Sequence, residues 1–147
     1  MEKEKLEDIV ENLFVIPYLF KKKLMKHDLY KEEIDLSPAH FHILLTLTEK
    51  GDMAASELGR TLSICKSNVT PLVQKLIDKG LVQRITNEND RRYIYISITE
   101  AGKKFLARHK ELVLEHLKTK ICRLNEEDLE MLGESLQNLK ETLVKFE

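Results

Sequence analysis

Residues 80–99 read GLVQRITNENDRRYIYISIT, and this stretch decides the fold. It opens with a short apolar and basic run, Leu81 to Ile85, and continues through a polar segment, Thr86 to Arg91. The second run, Tyr93 to Thr99, alternates strictly, so that three isoleucines share one face and Tyr93, Tyr95 and Ser97 share the other. A side-chain period of two is the period of a β-strand. Two short strands around a polar turn predict a β-hairpin.

The residues before the hairpin have the period of an α-helix instead. From about Ser67 to Lys79 the apolar positions follow the i, i+3, i+4, i+7, i+8 spacing of a one-sided helix, at Val69, Leu72, Val73, Leu76 and Ile77. Gly80 ends this helix, and a shorter helix is predicted from Ala54 to about Leu62. The order helix, short helix, helix, hairpin predicts a helix-turn-helix with a wing.

A helix with clear end signals precedes this group. Ser37-Pro38 supplies an N-cap residue followed by proline at the first helical position, and Gly51 supplies the end. The residues predicted to face inward are Phe41, Leu44, Leu45 and Leu47. The lobe with the winged helix-turn-helix is therefore predicted to span residues 36–99.

Longer helices are predicted on both sides of the lobe. Residues 1–35 contain a helix from Lys5 to about Leu29, with Pro17 expected to kink it. Residues 100–147 contain a helix that Thr99 caps, from Glu100 to about Arg123, and a last helix that opens at Asn125. Its apolar residues step by three and four like a coiled-coil seam, at Leu129, Leu132, Leu136, Leu139, Leu143 and Phe146. The fold class is mainly α with a small β-hairpin wing.

Charge is distributed unevenly. The whole chain carries a net charge of −1, but the segment from Arg60 to Lys104 holds nine Lys and Arg residues against four Asp and Glu. A basic middle between acidic flanks is typical of an internal DNA-binding module. Cys65 and Cys122 fit neither a disulfide framework nor a zinc spacing, and neither a signal region nor a membrane span is apparent. We expect a cytoplasmic protein.

The helix predicted from about Ser67 to Lys79 is the fourth in the chain, and its polar side holds the first candidate DNA contacts. Amide side chains can make bidentate contacts to adenine, hydroxyl groups can contact bases or phosphates, and lysines can neutralise phosphates. These candidates are Lys66, Ser67, Asn68, Thr70, Gln74 and Lys75. The hairpin adds Arg84 on its first strand and Arg91 and Arg92 at its tip, where a guanidinium suits the narrow minor groove. Asp90 is expected to hold one of the tip arginines in a bidentate pair.

The same motifs resemble those of MarR-type transcription regulators. The resemblance rests on GLVQR at residues 80–84, DRR at 90–92 and ITEAG at 98–102, with LSP at 36–38, ELG at 57–59 and SNVT at 67–70 upstream. Ile98 replaces the usual leucine, and Gly59 stands where alanine is common.

The resemblance implies a homodimer in which the helices of residues 1–35 and 100–147 interlock as parts of one intertwined unit. This dimer would present two winged lobes to a pseudo-palindromic site on double-stranded DNA. It implies that Arg92 enters the minor groove with Asp90 as its partner. It also implies a repressor that a small-molecule effector releases, with no cofactor and no catalytic activity. The sequence itself contains no phosphate loop, nucleophile elbow or catalytic carboxylate pair.

Three alternatives stay open at this point. A metal sensor of the same fold would use His42 and His109. The zinc-sensing pattern has a second histidine one turn after His109, but Val113 occupies that position. His116 lies on the same side of the helix, two turns after His109. A peroxide sensor would need a cysteine in the first helix, where this sequence has none. Cys65, at the start of the fourth helix, could nevertheless gain thiolate character. A winged helix used only for protein contacts would not explain the basic segment.

Overall fold

The computed structural model describes residues 2–25 and 35–146. The described residues form six helices and two strands in the order α1 (Glu2–Lys23), α2 (Pro38–Lys50), α3 (Ala55–Leu62), α4 (Lys66–Asp78), β1 (Val82–Thr86), β2 (Ile94–Ile98), α5 (Glu100–Ile121) and α6 (Glu126–Leu143). The chain divides into two compact units. The winged unit is His27–Leu112, and the helical unit is Met1–Lys26 with Val113–Glu147.

The start of α2 is fixed by a side chain that reaches back to the N-cap residue. Ser37 is the N-cap residue, Pro38 is the first helical residue, and the Ser37 amide donates a hydrogen bond of 2.9 Å to Nδ1 of His40. A side chain at the third helical position that reaches back to the N-cap amide is the geometry of a capping box. Gly51 ends the helix at φ +82°, a conformation that favours glycine. Both predicted ends of α2 are confirmed.

The turn between α3 and α4 contains no glycine. Ser63 ends α3 in the left-handed conformation, at φ 53° and ψ 39°. The next amide, that of Ile64, donates to the carbonyl of Gly59 at 2.8 Å and closes the turn. Left-handed backbone costs about 1–2 kcal/mol for a residue with a Cβ, so such a position is usually marked by glycine. Because serine stands here instead, the sequence pattern does not predict this conformation.

One side of α4 is buried in the winged unit. Val69, Val73 and Leu76 are almost inaccessible to solvent, and the helix ends before Gly80, which has φ +72°. They join a core whose other buried members are Leu36, Phe41, Ile43, Leu44, Leu47, Leu58, Leu81, Val82 and Ile96. The predicted inward side of α4 is therefore confirmed.

The hairpin is antiparallel, as predicted, with Val82 opposite Ile98 and Thr86 opposite Ile94. Only the end nearest the helices reaches the core, because Ile96 is buried whereas Ile94, towards the tip, is half exposed. An isolated bridge from Met53 to Ile96 adds two further backbone hydrogen bonds. This bridge fixes the hairpin to the segment between α2 and α3.

Thr99 connects the hairpin to the ends of two helices. Its hydroxyl donates to the carbonyl of Gly80 at 2.7 Å and accepts from the amide of Gly102 at 3.0 Å, so it caps α5 as predicted. Gly102 is buried, and Phe105 and Leu106 continue the contact with the core one turn later. The beginning of α5 is thus part of the winged unit.

One detail of the predicted core is wrong. Leu45 was expected to face inward, yet 47% of its side chain is exposed, while its neighbours Ile43 and Leu44 are inaccessible. The periodicity of α2 is ambiguous here, because three consecutive apolar residues allow more than one inward side. His40 and Thr46 are buried in its place.

The helical unit contains α1, α6 and the second half of α5. The sequence extended the first helix to about Leu29, but α1 ends at Lys23, where the amides of Leu24 and Met25 both donate to Phe20, and positions 26–29 lie outside the described residues. α6 opens at its Asn125 cap as predicted. The predicted seam is too long, because α6 ends at Leu143 and leaves Phe146 beyond the helix.

No residue of α1 or α6, both of which lie within the described ranges, is fully buried. Large apolar side chains are exposed along both helices, among them Leu6, Val10, Leu13, Phe14, Met131, Leu136 and Leu143. Within residues 2–25 and 35–146, none of the helices has the length and apolar character needed to cross a membrane.

We expect Gly102→Ala to destabilise the protein by about 1–3 kcal/mol, the usual cost of overpacking. A Cβ at this position would collide with the backbone carbonyl of Leu81 and lie 2.7 Å from Cγ1 of Ile98. Urea unfolding followed by circular dichroism measures the change.

Gly133→Ala is the matched control, since Gly133 is also a helical glycine but has open space where its Cβ would lie. Alanine there should stabilise α6 by up to about 1 kcal/mol. Equal responses of the two variants would refute the close approach at Gly102.

We also expect the winged unit to lose stability in mild acid through His40. Burial lowers the pKa of His40, and neighbouring Lys75 lowers it further. The native state then binds fewer protons than the unfolded chain, so this stabilisation is complete above the unfolded pKa of about 6.5 and is lost as pH falls through the lowered native pKa.

His40→Gln should flatten the decline of the melting temperature between pH 7.5 and 5.5, about one unit on each side of the ordinary histidine pKa, because glutamine can complete the same capping box without titrating there. Some decline should remain, since burial also lowers the pKa of His109. His42→Gln is the control, because His42 is exposed on the same helix. A His40→Gln variant with the parent's full pH dependence would contradict the assignment.

Candidate nucleic-acid interface

The first turns of α4 present an exposed polar side. Lys66, Ser67, Asn68 and Thr70 are all exposed, whereas Val69 between them is buried. The first turn holds no acidic residue. Because unpaired amides and the helix dipole favour negative charge at a helix N-terminus, this end of α4 is electrostatically suited to a phosphate-bearing partner.

Lys75, one of the predicted DNA contacts on α4, forms an ion pair within the winged unit. Its Nζ lies 2.8 Å from a carboxylate oxygen of Asp35, just before α2. The same contact lowers the pKa of Asp35. The sequence assigned Lys75 to a phosphate; in the structure its ammonium group pairs with a carboxylate forty residues away, and no local pattern connects the two.

Gln74 and Arg84 lie in contact with each other. Arg84 Nη2 donates to Gln74 Oε1 at 2.9 Å, and Gln74 Nε2 donates to Asp78 Oδ1 at 2.8 Å. The sequence treated Gln74 and Arg84 as separate candidate contacts and did not single out Asp78. The i, i+4 spacing of Gln74 and Asp78 was the available signal, since such residues are neighbours on a helix surface.

The predicted bidentate pair is present at the hairpin tip, between Asp90 and Arg92. Arg92 Nε and Nη2 each donate to one carboxylate oxygen of Asp90 at 3.0 Å, and the Arg92 amide donates to Oδ1 at 3.1 Å. These bonds hold the pKa of Asp90 below its usual value and raise the pKa of Arg92. Arg92 stays 89% exposed, so the pair orients a guanidinium that remains accessible.

The backbone of the tip is held by local bonds. Asn89 donates its amide to Oδ1 of Asn87 at 2.9 Å, and the Asn87 amide donates to the carbonyl of Tyr93 at 3.1 Å. Arg91 is exposed beside the Asp90–Arg92 pair. The hairpin therefore carries two adjacent guanidinium groups on a turn of defined geometry, which is an arrangement that fits a narrow, negatively charged groove.

The candidate metal and redox residues do not form a cluster. His42 is exposed on α2, while the ring of His109 lies 4.1 Å from the ring of Phe41 and also stacks on Phe105. Within the described part of the chain, no group of three or more His, Cys, Asp or Glu residues could hold a metal ion. Cys65 and Cys122 are both exposed free thiols.

Two related sequences illustrate the similarity of the chain to known proteins. The chain is 37% identical to YpoP, an uncharacterised HTH-type transcriptional regulator from Bacillus subtilis, over 82 residues that make up 56% of this chain and 58% of YpoP. It thus spans less than two thirds of that relative. It is 31% identical to the HTH-type transcriptional regulator MhqR from Bacillus subtilis over 107 residues, 71% of this chain and 72% of MhqR.

A solved structure and a family model agree with these matches. A MarR family protein from Bacillus stearothermophilus aligns with a TM-score of 0.71 at 21% identity and covers 99% of both chains, which shows the same fold. Residues 36–94, which contain the helix-turn-helix, the first hairpin strand and the hairpin turn, match the model of the MarR family. With the identity to MhqR over more than two thirds of both sequences, these findings show that the chain belongs to the MarR family of transcriptional regulators.

Proposed function

We propose that the chain is a homodimeric regulator that binds double-stranded DNA, with α4 in the major groove and the hairpin tip in the minor groove. One observation carries the proposal: the winged unit buries one side of α4 and leaves its polar first turns exposed, together with a guanidinium held by Asp90. A recognition helix needs this combination of a rigid inner side and a polar outer side.

The residues exposed on α4 have suitable chemistry for the major groove. Asn68 can pair with an adenine edge, Ser67 and Thr70 can contact bases or phosphates, and Lys66 can neutralise a phosphate. They lie near the N-terminal end of α4, which is the end that a recognition helix directs towards the bases.

The exposed apolar sides of α1 and α6 support the dimer. Exposed apolar area of this extent on a helix pair usually marks an interface. A second copy is the occupant we propose, because DNA recognition by a helix-turn-helix uses two half-sites about 34 Å apart and therefore two lobes. Helices with exposed apolar sides, such as α1 and α6, can hold two lobes at such a distance.

Repression and its release by a small molecule form the last part of the proposal. Two half-sites demand a fixed separation of the recognition helices, so a ligand that favours another separation would release the DNA. Selection of bound genomic fragments, repeated with candidate effectors, tests this step. An effector that binds without changing DNA affinity would contradict it.

We expect Arg92→Ala to weaken binding to a selected operator duplex by about 10-fold and to lower its dependence on salt. The cause is loss of an accessible cation at the hairpin tip. Fluorescence anisotropy at several salt concentrations measures both effects. Unchanged affinity in a folded, dimeric variant would exclude the proposed role of the hairpin.

Asp90→Ala separates orientation from charge in the same assay. This variant gains positive charge, so binding to non-specific duplex should be equal or stronger. Its affinity for the selected operator should nevertheless fall, because Arg92 loses the carboxylate that fixes its guanidinium. For Arg92→Ala, the matched control is Arg123→Ala, because it also removes an arginine but lies outside the winged unit.

We expect Leu136→Asn to shift the monomer–dimer equilibrium towards monomer, because it places an amide on the exposed apolar side of α6. Glu134→Asn is the matched control, since it introduces the same residue into the same exposed helix and shares the cost in helix propensity. Sedimentation equilibrium measures both. Equal association constants for the two variants would show that this side of α6 is not the interface.

A further inference from the structure

Both ends of the Gln74 amide are bonded within the winged unit. Its oxygen accepts from Arg84 at 2.9 Å and its nitrogen donates to Asp78 at 2.8 Å. Arginine can only donate and an ionised carboxylate can only accept. A flipped amide would lose both bonds, so this pair of partners fixes the orientation of Gln74.

This orientation conflicts with a role in reading bases. A bidentate contact to adenine needs the oxygen and the nitrogen of the same amide to point together at one base edge. Here the oxygen points to Arg84 and the nitrogen to Asp78. Reading adenine would require Gln74 to give up one or both of these partners.

The position of Gln74 along α4 gives an independent argument. Gln74 lies nine residues after the N-cap Cys65, which at 1.5 Å per residue is about 13 Å along the helix axis. Recognition helices contact base edges mainly with their N-terminal residues. The side chain is also half-buried, unlike those of Ser67, Asn68 and Thr70.

The second partner, Arg84, belongs to the hairpin. It lies on β1 opposite Ile96, whose backbone N–H and C=O are both hydrogen-bonded to Met53. A bond from Arg84 to Gln74 therefore connects the recognition helix directly to the strand that leads to the hairpin tip. It uses one of the five N–H donors of the guanidinium, so the same group can also contact a phosphate.

We propose that Gln74 is a positioning residue: it holds Arg84 against α4, and base recognition is left to Ser67, Asn68 and Thr70. This inference rests on the proposed DNA binding and replaces the sequence-based assignment of Gln74 as a base contact. Asp78 completes the arrangement by fixing the amide from its other side.

Selection from a library of duplexes with a randomised central segment tests the assignment. Gln74→Ala should keep the parent's base preferences and weaken binding about 2–10-fold, the value of one hydrogen bond. Gln74→Glu keeps an acceptor for Arg84 and should also keep these preferences. A base reader would behave differently, because glutamate accepts from cytosine and would move the preference from adenine to cytosine.

Asn68→Ala is the matched control, since it removes an exposed amide from the same helix and should relax the preference at one base pair of each half-site by about 10-fold or more. A changed preference in either Gln74 variant would overturn the proposal. If the unsubstituted protein selected no sequence, the proposed function itself would fail.

A double-mutant cycle without DNA keeps the two failures apart. Gln74→Ala, Arg84→Ala and the double variant are compared by urea unfolding, and the bond should appear as a coupling of about 2-fold or more in the unfolding equilibrium constant. Fully additive effects would overturn the proposed contact whether or not the protein binds DNA.

Discussion

The winged unit depends on the burial of one side of α4. Val69, Val73 and Leu76 are inaccessible because α2, α3 and the hairpin cover them, and this packing fixes the rotation of the helix about its axis. Rotation decides which side chains remain exposed, since residues three and four apart share a side. The polar residues of the first turns are thus presented as a consequence of apolar packing. The Thr99 hydroxyl extends the same constraint to α5 through Gly80 and Gly102.

Most of the secondary structure could be predicted because its signals are local. Periods of 3.6 and 2 distinguish α4 from the hairpin, and Ser37, Gly51, Gly80 and Asn125 mark helix ends by their own conformational preferences. The motifs of residues 36–102 also indicated the family. Because the chain belongs to the MarR family of transcriptional regulators, the prediction of a regulator rather than an enzyme is confirmed. The left-handed Ser63 was missed because serine carries no preference for that conformation.

The contacts within the candidate site also divide into a local one, which could be predicted, and contacts between distant residues, which could not. The Asp90–Arg92 pair was predictable because the residues are two apart and one turn brings them together. The Lys75–Asp35 and Arg84–Gln74 contacts depend on how separate elements pack, and neither has a sequence pattern. The charge count between Arg60 and Lys104 therefore gives the net charge of the segment, but it does not show which of its cations already have a partner within the protein. Three of the predicted contacts, Lys75, Gln74 and Arg84, have partners within the winged unit that lie outside their own helix or strand.

Exposed pairs such as Asp90–Arg92 and Gln74–Arg84 contribute little to the stability of a free protein, because water and salt screen them. Their effect is better sought in the orientation of the side chains. A guanidinium that already points outward loses less rotational freedom when it meets a phosphate or a groove, and preorganisation of this kind increases affinity without adding a contact. Displacement of water on binding would also strengthen each pair. The polar contacts of the winged unit are therefore expected to matter more for recognition than for folding, whereas the buried side of α4 matters first for folding.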